Sequence, residues 1–351
     1  MSRVYIIIVN WNGWKDTIEC LESVFRSDFN DFRVIVSDND SSDGSIERIT
    51  SWAENRLNIV TEEGCRLRGR SFPPVGKPIS YATYSQLEAE SGGCLEDDPR
   101  LILIRNSSNL GFAGGNNAGL RYALARHDFD NIWLLNNDTV VNSDSLSKLV
   151  YRMHQKDGAG MCGSTLLYYH HPDRVQALGG GYYCKWIGLP WHQGRLKKAD
   201  SVVDRTKVER WMNYIIGASM LVSKEFLQDI GLMCEDYFLY FEELDWVIRG
   251  KGSYSLAFAP ESIVYHKVGS SIGTSSDPRK KSVMCDYYNI RNRLYFTRRY
   301  FPRSLPAIYL VLFGTLVLRV LMGKWDRAKM IAGLFLNYDK HSSGKIFERT
   351  V

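Results

Sequence analysis

Short, wholly apolar runs alternate along this chain with stretches of helical spacing, and that rhythm restricts what it can fold into. Tyr5 to Val9 is β-branched after its first residue, and beyond Asn10-Trp-Asn-Gly13 come Ile18, Leu21, Val24 and Phe25 at helical intervals. Arg33 to Ser37 reads as a second strand, closed by Asp38-Asn-Asp-Ser-Ser-Asp-Gly44 and followed by Ile46, Ile49 and Ala53 on a second helix. Leu101 to Ile104, a helix around Leu120 to Leu124, and Ile132 to Leu135 continue the pattern. Strands with no polar face must be covered on both sides. The repeated units therefore predict an α/β fold with a mostly parallel central sheet.

Thr61 to Arg100 breaks the rhythm, being rich in Gly, Pro, Ser and charge, and reads as an insertion, a flap or surface excursion. A helix follows Ser143, then strands at Ala159 to Thr165 and Arg174 to Tyr183. Ser223 caps a helix that stops at Gly231, and Glu242 to Arg249 forms another. Strands near Ser255 to Ala259 and Ile263 to His266 complete a domain over residues 1–275, leaving a basic and apolar helical tail over 276–351.

The net charge of +5 over 351 residues does not imply a nucleic-acid partner. Seven cysteines, Cys20, Cys65, Cys94, Cys162, Cys184, Cys234 and Cys285, contain no CxxC pair and read as reduced core thiols of a cytosolic protein. The N-terminal apolar run is too short for a signal peptide and fits a buried first strand.

Four polar clusters follow expected strands, as they would if the carboxyl ends of one sheet shared a cleft. Asn10-Trp-Asn12-Gly and Asp38-Asn39-Asp-Ser suit a base and ribose, Asp38 accepting from a pyrimidine N–H; both also make ordinary turns. Gly111, Gly114 and Asn117 belong to Leu110-Gly-Phe-Ala-Gly-Gly-Asn-Asn, where glycines let backbone approach a ligand and a helix start favours anions. It is not GxGxxG, which argues against a dinucleotide oxidoreductase. Asn136-Asn137-Asp138 offers oxygen ligands for a cation holding phosphate, with a plain strand-ending turn as the alternative. Glu242, Glu243 and Asp245 at a helix start are stabilised by the helix dipole; beside Tyr237-Phe-Leu-Tyr-Phe241 they also have the apolar walls that raise a carboxylate toward general-base strength. His266 is a candidate metal ligand or phosphate contact, or a satisfied core histidine.

In this order the motifs closely resemble the inverting glycosyltransferases of family 2, with the GT-A fold, over roughly residues 3 to 275. The resemblance rests on Ile-Ile-Val-Asn-Trp-Asn12, Ser-Asp38-Asn-Asp-Ser-Ser-Asp-Gly-Ser45, Asn-Leu-Gly-Phe-Ala-Gly-Gly-Asn-Asn117, Leu-Leu-Asn-Asn-Asp-Thr139, Phe-Glu-Glu-Leu-Asp245 and His-Lys-Val-Gly-Ser270. The Asn-Trp-Asn start and the tail resemble the bacterial rhamnosyltransferases that build cell-surface polysaccharides. The resemblance implies that Asp38 binds the nucleotide base, that Asp138 and His266 hold Mg2+ or Mn2+ on the diphosphate, and that Glu243 is the base. It also implies a nucleotide-sugar donor, dTDP-L-rhamnose first, with UDP-hexose or UDP-galactofuranose as the alternative, and a saccharide on polyprenyl diphosphate as acceptor; a non-catalytic sugar-nucleotide-binding module is the other alternative. Two positions depart from the family pattern: Glu243 stands where Asp is usual, keeping Asp245 as a second candidate, and Asn136 leaves Asp138 the only charged ligand of its motif.

Leu305 to Met322 is apolar apart from Pro306 and Arg319, and it follows a run holding Arg279, Lys280, Lys281, Arg291, Arg293, Arg298, Arg299 and Arg303. With Tyr287, Tyr288, Tyr295 and Tyr300 these residues suit an anionic membrane surface. The expectation is a cytoplasmic protein, peripheral on the inner face of the cell membrane; a packing or oligomer helix, the latter in a homodimer, is the alternative.

Overall fold

The computed structural model describes residues 3–59, 63–268 and 282–336. Its parallel half contains β1 (Val4–Asn10), β2 (Phe32–Asp38), β3 (Tyr81–Ser85), β4 (Leu101–Arg105) and β5 (Asn131–Leu135). The other half contains β6 (Thr139–Val141), β7 (Ala159–Tyr168), β8 (Val175–Leu178), β9 (Gly180–Cys184), β10 (Leu189–His192), β11 (Tyr214–Ile215), β12 (Ser219–Ser223) and β13 (Ser255–His266). Along the main path the order is β10-β9-β8-β7-β12-β5-β1-β2-β4-β3, with β11 on β9 and β13 bridging β6 and β7.

Two apolar layers sandwich this sheet because successive strand residues face opposite ways. Ile6, Ile8, Val34, Val36, Leu101 and Leu103 pack on one face, against α1 (Trp14–Val24) and α2 (Ser45–Ala53). Tyr5, Ile7, Ile35, Ile102, Ile104 and Leu134 pack on the other. That second face is covered by α5 (Gly111–Arg126), after the short α3 (Arg68–Ser71) and α4 (Gln86–Glu90). Then come α6 (Ser145–Gln155), α7 (Arg205–Trp211), α8 (Lys224–Ile230) and α9 (Glu242–Gly250). The chain closes with α10 (Val283–Tyr300), α11 (Leu305–Leu321) and α12 (Trp325–Leu336). The expected α/β sheet and C-terminal helical region are both present.

Three local expectations change. The Thr61–Arg100 stretch holds α3, α4 and the edge strand β3, which pairs with β4; its half-exposed Tyr-Ala-Thr-Tyr-Ser lacks the apolar signature of a central strand. Arg174 to Tyr183 is two strands rather than one, folded back at Gly179, whose φ of 70° is open to glycine. The segments at 255–259 and 263–266 are one strand, with a register shift between Ala259 and Ile263.

In the tail, Arg279, Lys280 and Lys281 lie outside the described residues, as do Gly269 and Ser270. Arg291 and Arg293 are buried, as are Tyr287 and Tyr288, so they do not form the basic aromatic surface expected of them. Arg299 and Arg303 are exposed. Arg319 turns inward to Asp286, which also pairs with Arg327. Leu310, Phe313, Leu318 and Leu321 face outward from α11.

Gly119 lets α5 lie close on β1: a Cβ there would come within 2.8 Å of Ile7 Cγ2. Gly119→Val is expected to lower unfolding free energy by about 1–3 kcal/mol, read by urea denaturation; unchanged stability would show that the helix is free to shift.

Candidate active site

A cleft of about 830 Å³ runs along the carboxyl ends of the parallel strands. Strand β1 ends at Asn10 directly beside Asp38 at the end of β2. Asn10 donates to Asp38 (2.6 Å) and accepts from the Thr17 hydroxyl (2.7 Å), and Asp38 also accepts from the Ser41 N–H and hydroxyl. Both side chains are buried and neither lines the cleft. Asn10 and Asp38 therefore both organise this corner, in place of the direct nucleotide contacts expected of them. Asn12, with φ of 50°, accepts from the Ser42 N–H, and it is Val9, Trp11 and Asn39 of these two loops that reach the cleft.

Asn39 donates to the Gly111 carbonyl (2.9 Å) and accepts from Asn106 (2.8 Å), tying the second loop to the glycine loop. Gly111 lines the cleft, where a Cβ would strike the Phe238 carbonyl at 2.3 Å. Gly114 and Asn117 do not reach it. Gly114 accommodates the Leu110 side chain, and Asn117 is fully engaged with Met233 and Glu235, so both expectations are corrected to packing roles.

At the next corner Asn137 and Asp138 line the cleft with His266. His266 Nε2 lies 3.1 Å from Asp138 Oδ1 and 3.4 Å from the Asn136 amide. On the other side of the ring, Nδ1 is 3.0 Å from Gln176 Oε1. A glutamine oxygen can only accept, so Nδ1 carries a proton, and Nε2 is the ring nitrogen turned toward the carboxylate. One imidazole nitrogen and one carboxylate oxygen converging in this way fit a divalent cation whose other ligands are substrate phosphate and water. Among the described residues no cluster of three His, Cys, Asp or Glu side chains forms. The corner is held from behind by Lys267, whose N–H donates to the Asp138 carbonyl while its ammonium pairs with Asp16 and Glu19.

The carboxylates of α9 separate into distinct roles. Glu243 is partly open to the cleft and accepts from the Gly217 N–H at 3.3 Å. Burial raises its pKa above the usual carboxylate range, against the opposing effect of backbone N–H donors. Glu242 is more enclosed, and burial first, then the neighbouring Glu243 charge, pushes it higher still. Asp245 is fully buried and accepts from Tyr300 (2.6 Å), Tyr237 (3.2 Å) and Arg249 (2.8 Å). Its candidacy as a base is corrected: it has no access to the cleft.

Leading into α9, Phe238, Tyr240 and Phe241 all adopt left-handed φ values, 60°, 69° and 77°, which bulky residues avoid. The loop keeps this form because α10 grips it. Asn292 Nδ2 donates to the carbonyls of Tyr237 (2.8 Å), Leu239 (2.8 Å) and Tyr240 (3.0 Å), and Arg291 donates to that of Asp236. Phe238 stacks on Tyr288 at 4.8 Å and its carbonyl accepts from the Phe112 N–H. Sequence reasoning missed Asn292 and Gln176 because nothing around either distinguishes it from a neutral residue of a helix or strand.

The structure is similar to a mannosyltransferase of Pyrobaculum calidifontis, solved with GDP-Man and Mn2+, with a TM-score of 0.50 and 13% identity over 98% of this chain and 88% of that one. It is also similar to GalNAc-T7, solved with UDP, GalNAc and Mn2+, with a TM-score of 0.55 and 13% identity over 88% of this chain and 50% of that one. The fold is thus of the GT-A type, and the protein is a glycosyltransferase. Residues 5–67 and 82–216 match the family described as Glycosyl transferase family 2, and the chain belongs to that family. A curated relative, the low-salt glycan biosynthesis hexosyltransferase Agl10 of Haloferax volcanii, is 25% identical over 243 residues, 66% of this chain and 72% of its own.

Asn292→Asp replaces a donor by an acceptor of the same shape facing three carbonyls, and is expected to cost about 1–3 kcal/mol of stability or more. It should also slow sugar transfer more than Leu294→Ala, which cuts into the same helix without removing a hydrogen bond to the loop. Equal turnover in the two variants at matched stability would show that the grip does not position α9.

Proposed function

We propose that this glycosyltransferase moves a hexose, with L-rhamnose from dTDP-L-rhamnose the first donor to test, onto a saccharide carried on polyprenyl diphosphate. The observation that carries this reading is that Glu243 shares one cleft with the Asp138–His266 pair, a base and a cation-holding corner. A UDP-hexose or UDP-galactofuranose donor is the alternative. The hexosyltransferase activity named for Agl10 supports a hexose, and GDP-Man in one structural relative with UDP and GalNAc in the other support a nucleotide-activated donor.

In this reading the Asn39–Gly111 edge borders the nucleotide, with Asp38 holding the base-side loop in shape. Asp138 and His266 would hold Mg2+ or Mn2+, which supplies positive charge against the diphosphate and its departure. Glu243 takes the hydroxyl proton of the acceptor as that oxygen bonds to the anomeric carbon. The carbon–oxygen bond to the diphosphate breaks on the opposite face, and the sugar is inverted.

We also propose that the tail seats the enzyme on the inner face of the cell membrane. Pro302–Leu321 is apolar and long enough to cross a bilayer, and about a fifth of that stretch is buried. Because Arg319 is turned inward to Asp286, the outward face is left apolar, as an interfacial helix requires.

Glu243→Gln is expected to retain nucleotide binding and to lose about 10²–10⁴-fold in transfer, followed as nucleoside diphosphate release; normal turnover would remove Glu243 as base. Because a base works ionised and burial raises its pKa, the wild-type rate should fall with decreasing pH at a midpoint above about 4.3, the ordinary glutamate value. A rate that stays flat down to that value would contradict the assignment. Chelation with EDTA should abolish transfer in the wild type, with recovery on adding Mg2+ or Mn2+. For the tail, Leu310→Glu with Phe313→Glu should move the folded enzyme from the membrane pellet to the supernatant; the same partition as wild type would count against attachment through α11.

A further inference from the structure

The hairpin of β9 and β10 lies at the end of the sheet away from the nucleotide-side strands, and none of the motifs above includes it. In its antiparallel register Trp191 stands directly opposite Tyr182, so both rings project from the same face. Both are well exposed, Trp191 at 50% and Tyr182 at 43%. Their neighbour Tyr183 projects from the other face and is packed against Phe241 and Phe296. The fold therefore buries one aromatic of this hairpin and leaves the opposed pair in solvent. Trp52, Trp133 and Trp246 are buried and each donates its indole N–H, to Glu22, Ser219 and Gly231, whereas the Trp191 N–H has no protein partner among the described residues.

Trp191 also lines the cleft that holds Glu243 and Asp138, together with Arg195 just beyond β10. Arg195 is exposed and makes no ion pair with a carboxylate among the described residues, unlike Arg3, Arg33, Arg152 and Arg249. The base lies on the same flank. Glu243 accepts from Gly217, just after β11, and β11 pairs with β9 at Gly181, next to Tyr182. The Asn39 edge belongs to the β1 and β2 side of the sheet, and the Asp138 corner lies between the two flanks, with Asp138 after β5 and His266 at the end of β13. In-line displacement requires the incoming hydroxyl and the leaving diphosphate to lie on opposite sides of the anomeric carbon. The flank carrying the base and the aromatic pair is thus the one open to the acceptor.

We propose that this hairpin is the acceptor subsite, resting on the transferase reading above: Trp191, backed by Tyr182, stacks on the apolar face of a saccharide ring, and Arg195 pairs with an anionic group beside that ring. A flat aromatic surface matches the C–H face of a sugar, while an unpaired guanidinium selects phosphate or carboxylate.

The test varies the acceptor at saturating sugar nucleotide, using octyl glycosides as neutral probes, octyl hexuronosides for a carboxylate and polyprenyl-diphosphate-linked saccharide for a phosphate. Trp191→Ala is expected to raise the KM for every acceptor at least tenfold with the KM for sugar nucleotide unmoved, and Trp191→Phe to recover most of the loss. Arg195→Ala should raise KM for one anionic acceptor and spare the octyl glycosides; the acceptor affected, hexuronoside or diphosphate lipid, identifies the anion. An unchanged acceptor KM in Trp191→Ala, a change in donor KM instead, or indifference of Arg195→Ala to both anions would overturn the assignment. Saturation-transfer NMR with the octyl glycosides reads binding without turnover. If wild type transfers no sugar yet saturates the glycoside ring protons, and Trp191→Ala does not, the proposed donor fails and the subsite stands. Equal saturation in both proteins, or none in wild type, overturns the subsite.

Discussion

One carboxamide, that of Asn292, holds together parts of the active site that come from distant stretches of chain. Its Nδ2 donates to three carbonyls of the 237–240 backbone, a segment that would relax if left to its own φ preferences. That segment touches the glycine loop through Phe238, and it launches α9 with Glu243 at its first turn. Asp245 fixes α9 to the same support through Tyr300. A left-handed run of aromatics persists here because hydrogen bonds and ring stacking from α10 outweigh its local cost.

The electrostatics of the cleft follow from scarcity of charge. Its metal-side corner contains one carboxylate and one imidazole, oriented by a neutral glutamine. Such a corner binds a bare cation weakly and a cation already on a diphosphate better, because the substrate supplies the missing anionic ligands. Asp16 and Glu19 do not line the cleft; they pair with Lys267 and brace the loop. Glu243 stands apart in a drier setting suited to accepting a proton.

The parallel half of the sheet was legible because its strands are apolar on both faces, as strands covered by helices on two sides must be. Ser223 and Gly231 bounded α8 through ordinary capping chemistry. Strand β3 escaped notice because an edge strand carries half-exposed polar residues, and the turn at Gly179 was hidden within a run of three glycines. At the cleft, residue type indicated Asp138, His266 and Glu243 as candidates, and the structure brings them to one cavity. Residue type could not separate a side chain that faces the cleft from one spent on its neighbours. Asn10, Asn117 and Asp245 look as suited to ligands as Asn39 or Glu243, and only the packing of other segments turns them inward. Asn292 and Gln176 lie far from those motifs in sequence, so their roles arise solely from tertiary contact.

The helix that grips the catalytic loop also forms one apolar cluster with α11 and α12, through Leu294, Ile308, Leu312, Ile331 and Leu334. On the proposed reading, the face that meets the membrane and the support of the Glu243 loop belong to one packed body rather than to exchangeable cassettes. Substitutions confined to the outward face of α11 leave that support in place, whereas replacing the helical bundle removes it.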